Sequence, residues 1–180
     1  MNWIVDGLKR IGMVGAALAF AAGMALAEPA VNATSEGVAV DVFDVVNYFT
    51  DGAPAEGLPE HSVSYLGKDW HFASAEHAAL FAADPAKYAP QVNGYCSYAA
   101  SEGYAAEVDV INGWAVIDGK LYLNWNAEVR DTFVAEQAAR IPKVGENTPK
   151  VLAGLLDGTT EFYPHSSDPS VGISHPQKLN

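Results

Sequence analysis

The chain has one cysteine, Cys96, in the stretch "NGYCSYAASEG" from Asn93 to Gly103. Three roles compete for a lone thiol: packing as a small apolar side chain, holding a metal, or attacking as a nucleophile or redox group. The last two need the thiolate. Asn93-Gly94 reads as a turn, and the residues after it read as a short helix closed by Gly103. Cys96 then falls in the first helical turn, where free amides favour an anion and predict a lowered thiol pKa. Five histidines are available as partners. His77 lies four residues before Phe81, on one helical face, and points inward. His71 sits between Trp70 and Phe72 and faces away from them. His61 begins a strand, and His165 and His175 belong to a polar tail. One thiolate helped by His77 or His71 suits copper or zinc. There is no His-x-x-x-His and no Cys-x-x-Cys, so such a site must be assembled in space from distant positions.

The aromatic residues Tyr95, Tyr98, Trp114 and Tyr122, with Trp125, gather around the thiol and a later hairpin. They are expected in the core, and some are expected to line a pocket. Gly-x-Ser-x-Gly, phosphate loops and dinucleotide fingerprints do not occur, and the carboxylates are scattered. The pattern therefore favours binding over turnover. Carriage, delivery or sensing of a transition metal through Cys96 is the leading reading. A single-cysteine redox protein is the second, and a module holding a small ligand or partner protein is the third.

Where the chain works bears on all three. Lys9 and Arg10 precede an apolar run from Ile11 to Ala22, and Ala25-Leu26-Ala27 forms a cleavage site. Residues 1–27 read as a secretory signal peptide, which predicts a periplasmic or secreted protein with no stable membrane insertion after cleavage. The run is shorter than the roughly 20 residues that span a bilayer. The formal net charge is −12 and becomes one unit more negative once Asp6, Lys9 and Arg10 are removed. Such a surface repels nucleic acid and anionic lipid and tolerates cations. One cysteine makes no internal disulfide, so the domain must stand on its core. All three methionines fall within residues 1–27, which excludes a methionine-rich copper(I) carrier.

Periodicity then supplies the elements that position these residues. Residues 28–36 read as a flexible lead-in. Valines at 38, 40, 42 and 46 suggest an extended segment, followed by a helical turn in "DVVNYF". "HSVSYLGKDWHF" reads as a hairpin with Trp70 and Phe72 on one face. Ser74 caps a helix that Asp84-Pro85 stops. "GWAVIDGKLYLNWN" is a second hairpin around Asp118-Gly119. Asn126 caps a helix running to about Arg140 and ended by Pro142, and Thr148-Pro149 starts a last short helix closed by Gly158. From Glu161 onward the chain reads as a loosely held tail. The fold class is α+β: a small single domain over 37–141, with two antiparallel β-hairpins and short packed helices. Residues 142–180 form a C-terminal helix and tail.

"DVVNYF", "GKDWHFASAEHAALFAADPAKYAP", "NGYCSYA" and "VIDGKLYLN", in that order, resemble the exported YHS domain-containing (seleno)protein family. The resemblance covers about Val42 to Phe133. YHS domains also occur in copper-transporting ATPases and beside some oxygenase subunits, and they are similar to small metal-binding modules of the TRASH type. This implies a YHS/TRASH-like fold, a copper or zinc ion, and a periplasmic metal-handling or oxidase-assembly partner. Some members are described as selenoproteins. A selenocysteine matching Cys96 would make that position chemically used. Two departures stand out. The family turn Gly-Tyr-Asp-x-Val corresponds here to Val42-Phe43-Asp44-Val45-Val46, without the glycine. His71 and His77 are candidates from their own placement and are not family ligands.

Overall fold

The computed structural model describes residues 28–165. The expected signal peptide, residues 1–27, and the end of the tail with His175 lie outside the described residues. None of the described helices is long and apolar enough to cross a membrane.

The valine pattern of residues 38–46 does not make a strand. Val40, Asp41 and Val42 have φ of 53°, 50° and 63°, a left-handed turn. The period-two spacing marks burial, but burial reached through a turn. Val40 is 1 % exposed and packs where a Cβ on Gly94 would lie 3.2 Å from its Cγ2. The lead-in holds this turn in place rather than hanging free. The Asn32 amide donates to the Asn93 carbonyl (3.0 Å), and the Asn93 side-chain amide donates to the Ala30 carbonyl (2.8 Å).

Val42 is the position where the resemblance expects glycine, and its φ is one that costs a β-branched residue about 1–2 kcal/mol. Val42→Gly relieves that strain and loses part of it to unfolded-chain entropy. A net gain of about 0.5–1 kcal/mol is expected in urea unfolding. A loss above about 1 kcal/mol would show that the half-buried Val42 side chain contributes more than its backbone costs.

After a single turn of helix, α1 (Asn47–Thr50), strands β1 (Leu58–Tyr65) and β2 (Lys68–Phe72) form the expected antiparallel hairpin. Leu66 and Gly67 both have positive φ (53° and 74°), as a two-residue primed turn requires. Alternation buries Trp70 and Phe72 on the inner face. Helix α2 (Ala75–Ala83) lays Phe81 against both, with ring centres 5.2 and 5.0 Å away. Ser74 caps α2 by accepting the His77 N–H, and Asp84 closes it while capping α3 (Pro85–Tyr88).

Helix α4 (Ser97–Ser101) leads into β3 (Ala105–Ala106). The second hairpin, β4 (Trp114–Ile117) and β5 (Lys120–Leu123), turns at Asp118-Gly119 as the sequence predicts. Asn126 caps α5 (Ala127–Ala135) by accepting the Val129 N–H.

The expected end at Pro142 is overturned. The chain breaks earlier, at Glu136, and α6 (Gln137–Asp157) then runs through both Pro142 and Pro149 to a left-handed Gly158. Each internal proline costs up to about 3 kcal/mol. Packing offsets this, because α6 buries Arg140, Val144, Val151 and Gly154 along one side and lies against α4. The Thr148 hydroxyl also donates to the Val144 carbonyl at 2.6 Å. A boundary at 141/142 therefore falls inside a helix of the same packed body.

The start of the expected loose tail is held as well. Strand β6 (Phe162–Tyr163) pairs in parallel with β3. The result is an α+β domain with three separate two-stranded sheets among the described residues. Its first apolar cluster surrounds Trp70, Phe72 and Phe81. The second surrounds Cys96, and the third joins Val92, Ala100, Tyr122, Phe133 and Val144.

Candidate functional site

Cys96 caps α4 rather than sitting inside its first turn, and its own N–H donates to the Ala106 carbonyl at 2.9 Å. The side chain is 0 % exposed and packs with Ala99, Ala106, Trp125, Val129 and Tyr163. Burial pushes the thiol up to about 11, although the backbone N–H groups of Ala99, Trp125 and Tyr98 act in the opposite direction on the sulfur. This overturns the expected lowered pKa. Helix-end amides favour the anion as predicted, but removing a thiolate from water outweighs them. Small neighbours, Ala99, Ala100, Ala105 and Ala106, all fully buried, let the backbone close tightly here. The adjacent Ser97 hydroxyl is buried too and has no hydrogen-bond partner among the described residues.

A cleft of about 660 Å³ opens beside this cluster, lined by Tyr98, Glu102, Tyr104, Lys150, Thr160 and Glu161 among others. Tyr98 and Tyr104 also pack against the thiol's cluster, so the same two rings touch both the cleft and the core around Cys96. The Arg140 guanidinium lies 3.8 Å from the centre of the Tyr98 ring and donates to Ser101 Oγ (2.8 Å) and Glu102 Oε1 (2.9 Å). Tyr104 packs edge-on against Tyr163 at 5.2 Å. Burial, followed by the nearness of Cys96, raises the Tyr104 phenol well above its ordinary value. The Lys150 ammonium forms no ion pair among the described residues.

The structure does not bring the three candidate metal ligands together. His77 is held by Asp44, whose carboxylate lies 2.7 Å from its Nδ1. His71 is half-buried on β2, opposite Ser62. Among the described residues, no three of His, Cys, Asp and Glu converge as a metal-holding group. The histidine that does reach the thiol's surroundings is His165. Its Nε2 lies 3.1 Å from the Trp125 carbonyl and its ring stands edge-on to Trp125 at 4.1 Å. Reading the tail as loose hid it, and no spacing in the sequence points to it.

Of the four aromatic residues expected to line a pocket, Tyr98 lines this cleft. Tyr95 stands edge-on to Phe162 at 6.0 Å, Trp114 packs against Tyr48 at 5.1 Å, and Tyr122 is 2 % exposed against Phe133. The second wall, Tyr104, was missed because it follows the helix instead of flanking the cysteine. Compared with protein-family models, with curated proteins and with solved structures, the chain has no match.

Proposed function

We propose that the protein is an exported YHS-type domain that binds a small polar molecule in the cleft beside Cys96. The observation that carries this reading is the cleft itself, with two tyrosine rings, two carboxylates and one ammonium that forms no ion pair among the described residues, around about 660 Å³. Lys150 suits a carboxylate, while Glu161 and the tyrosine rings suit a cationic group. The ligand class that meets both is a small zwitterion of amino-acid type.

Titrating free amino acids and glycine betaine into nitrogen-15-labelled protein tests this. Shift changes should fall on Gly103, Thr159 and Thr160, and Lys150→Glu should weaken binding about tenfold or more. If those amides stay still at millimolar probe, or if Lys150→Glu binds as well, the reading fails.

A second reading keeps the metal. It is favoured by the backbone of Ala99, Trp125 and Tyr98, which pulls the Cys96 thiol toward the anion that copper(I) or zinc takes, against the burial that raises it. Among the described residues that one sulfur stands without converging histidines. Copper(I) and zinc titrations against wild type and Cys96→Ser separate the readings. Equal binding by the serine variant removes the metal reading and leaves the cleft untouched.

A further inference from the structure

We propose that Thr50, His77 and Asp44 form a nucleophile–base–carboxylate relay that accepts an acyl group from small activated esters. The three lie apart from the cleft, and the inference does not rest on it. Asp44 is 0 % exposed. Its Oδ1 accepts the N–H of Val46 (2.8 Å) and of Asn47 (3.2 Å), and its Oδ2 accepts the N–H of Ala73 (2.8 Å). Four backbone and ring groups thus converge on one carboxylate, the fourth being His77 Nδ1 at 2.7 Å.

An ionised carboxylate only accepts hydrogen bonds, so the shared proton belongs to Nδ1. In the neutral imidazole Nε2 then carries a free lone pair. The group facing it is the Thr50 hydroxyl at 3.4 Å. The same hydroxyl is 3.4 Å from the Val46 carbonyl, a second acceptor one turn back in α1. In this tautomer Nε2 accepts, so the single hydroxyl proton has two acceptors at equal distance, the Val46 carbonyl and Nε2. The order hydroxyl, imidazole, buried carboxylate is that of an activated nucleophile. Catalytic contacts are commonly long before substrate is bound.

The access fits the chemistry. Thr50 is exposed, the His77 side chain keeps 16 % of its surface, and only Asp44 is sealed. An open site of this kind suits a small, unhindered ester with a good leaving group.

In the forward step Thr50 Oγ bonds to the ester carbonyl carbon, and its proton passes to His77 Nε2. The carbon–oxygen bond to the leaving group breaks, and the leaving alcohol takes the electron pair and the proton. Water then attacks the acyl-threonine with His77 again taking a proton. Carboxylic acid is released and Thr50 is restored. Nothing is oxidised or reduced. Thr50 and His77 touch the reacting atoms, and Asp44 is a positioning residue.

The probe is p-nitrophenyl acetate added to the full chain, read by peptide mass mapping and nitrophenolate release. An acetyl group is expected on Thr50. His77→Asn should slow Thr50 acylation about 100-fold or more. Thr50→Val, which leaves the His77–Asp44 pair in place at an exposed position, should remove that adduct. The imidazole nitrogen spectrum of wild type should show the proton on Nδ1, the signature of the Asp44 contact.

The proposal is overturned by an unlabelled Thr50 without Thr50-dependent nitrophenolate release, by equal release from wild type and Thr50→Val, or by acetyl groups found only on lysines or on His77 itself with no such release. If His77→Asn does not fold, the Thr50→Val comparison decides alone.

Discussion

Asp44→Ala is expected to destabilise the fold by about 3–5 kcal/mol, the range for removing one partner from a buried charged network. The carboxylate joins the turn before α1, the start of α1 and the segment between β2 and α2, through the amides of Val46, Asn47 and Ala73. Alanine takes the acceptor from the Val46 and Ala73 N–H groups, while the Asn47 N–H keeps the Asp44 main-chain carbonyl at 3.2 Å; each charge-assisted bond is worth about 1.5–3 kcal/mol. Asp44→Asn should cost less, roughly half. Its amide oxygen still serves Val46 and Asn47, while its NH₂ faces the Ala73 N–H as a second donor. Urea unfolding followed by circular dichroism measures both. A loss under about 1 kcal/mol for alanine would mean that water satisfies the Val46 and Ala73 amides, and that the site is more open than its burial indicates.

The second large effect concerns the thiol. With its pKa pushed up to about 11, Cys96 is almost wholly protonated at pH 8. Against a free thiol near 8.5, the thiolate fraction there is lower by about 100-fold or more, and burial adds an opening step before any reagent arrives. Native protein should therefore react with a disulfide reagent at least about 100-fold more slowly than the urea-unfolded chain. Labelling at the unfolded rate under native conditions would show that the second cluster is not closed.

The same shift has a pH signature. The folded value lies above the ordinary 9.0, so the neutral thiol's contribution is full below pH 9. It is lost as pH rises from 9 through 11, by about 3 kcal/mol in all. Cys96→Ala should lack that part of the alkaline loss, while the raised tyrosines keep theirs.

Much of the frame was legible in local patterns. Both hairpins, the caps at Ser74 and Asn126 and the helix stop at Asp84-Pro85 depend on neighbours a few residues apart, and they stand as the sequence predicts. What failed was decided at longer range. Alternating valines bury equally well in a strand or in a strained turn wedged beside Gly94, and only the second contact tells them apart. Pro142 and Pro149 are local stop signals, yet α6 ignores them because Arg140, Val144 and Val151 lie against α4 some 40 positions earlier.

The site divides the same way. Cys96 was legible as the residue at a helix start, but its protonation state was not. Desolvation comes from Trp125, Val129 and Tyr163, far away in the chain. His77 was read correctly as inward-pointing, while its partner Asp44, 33 positions back, carries no mark in sequence spacing.

The pairing of β3 with β6 also sets an order of events during synthesis. Tyr163 is one wall of the cluster around Cys96, and it takes its place only when residues 162–163 reach Ala105–Ala106. Every shorter nascent chain lacks that wall. The thiol is thus made well before the Tyr163 ring that helps to cover it. Until that pairing forms, its fate depends on the oxidants and metal ions it meets, not on the finished fold.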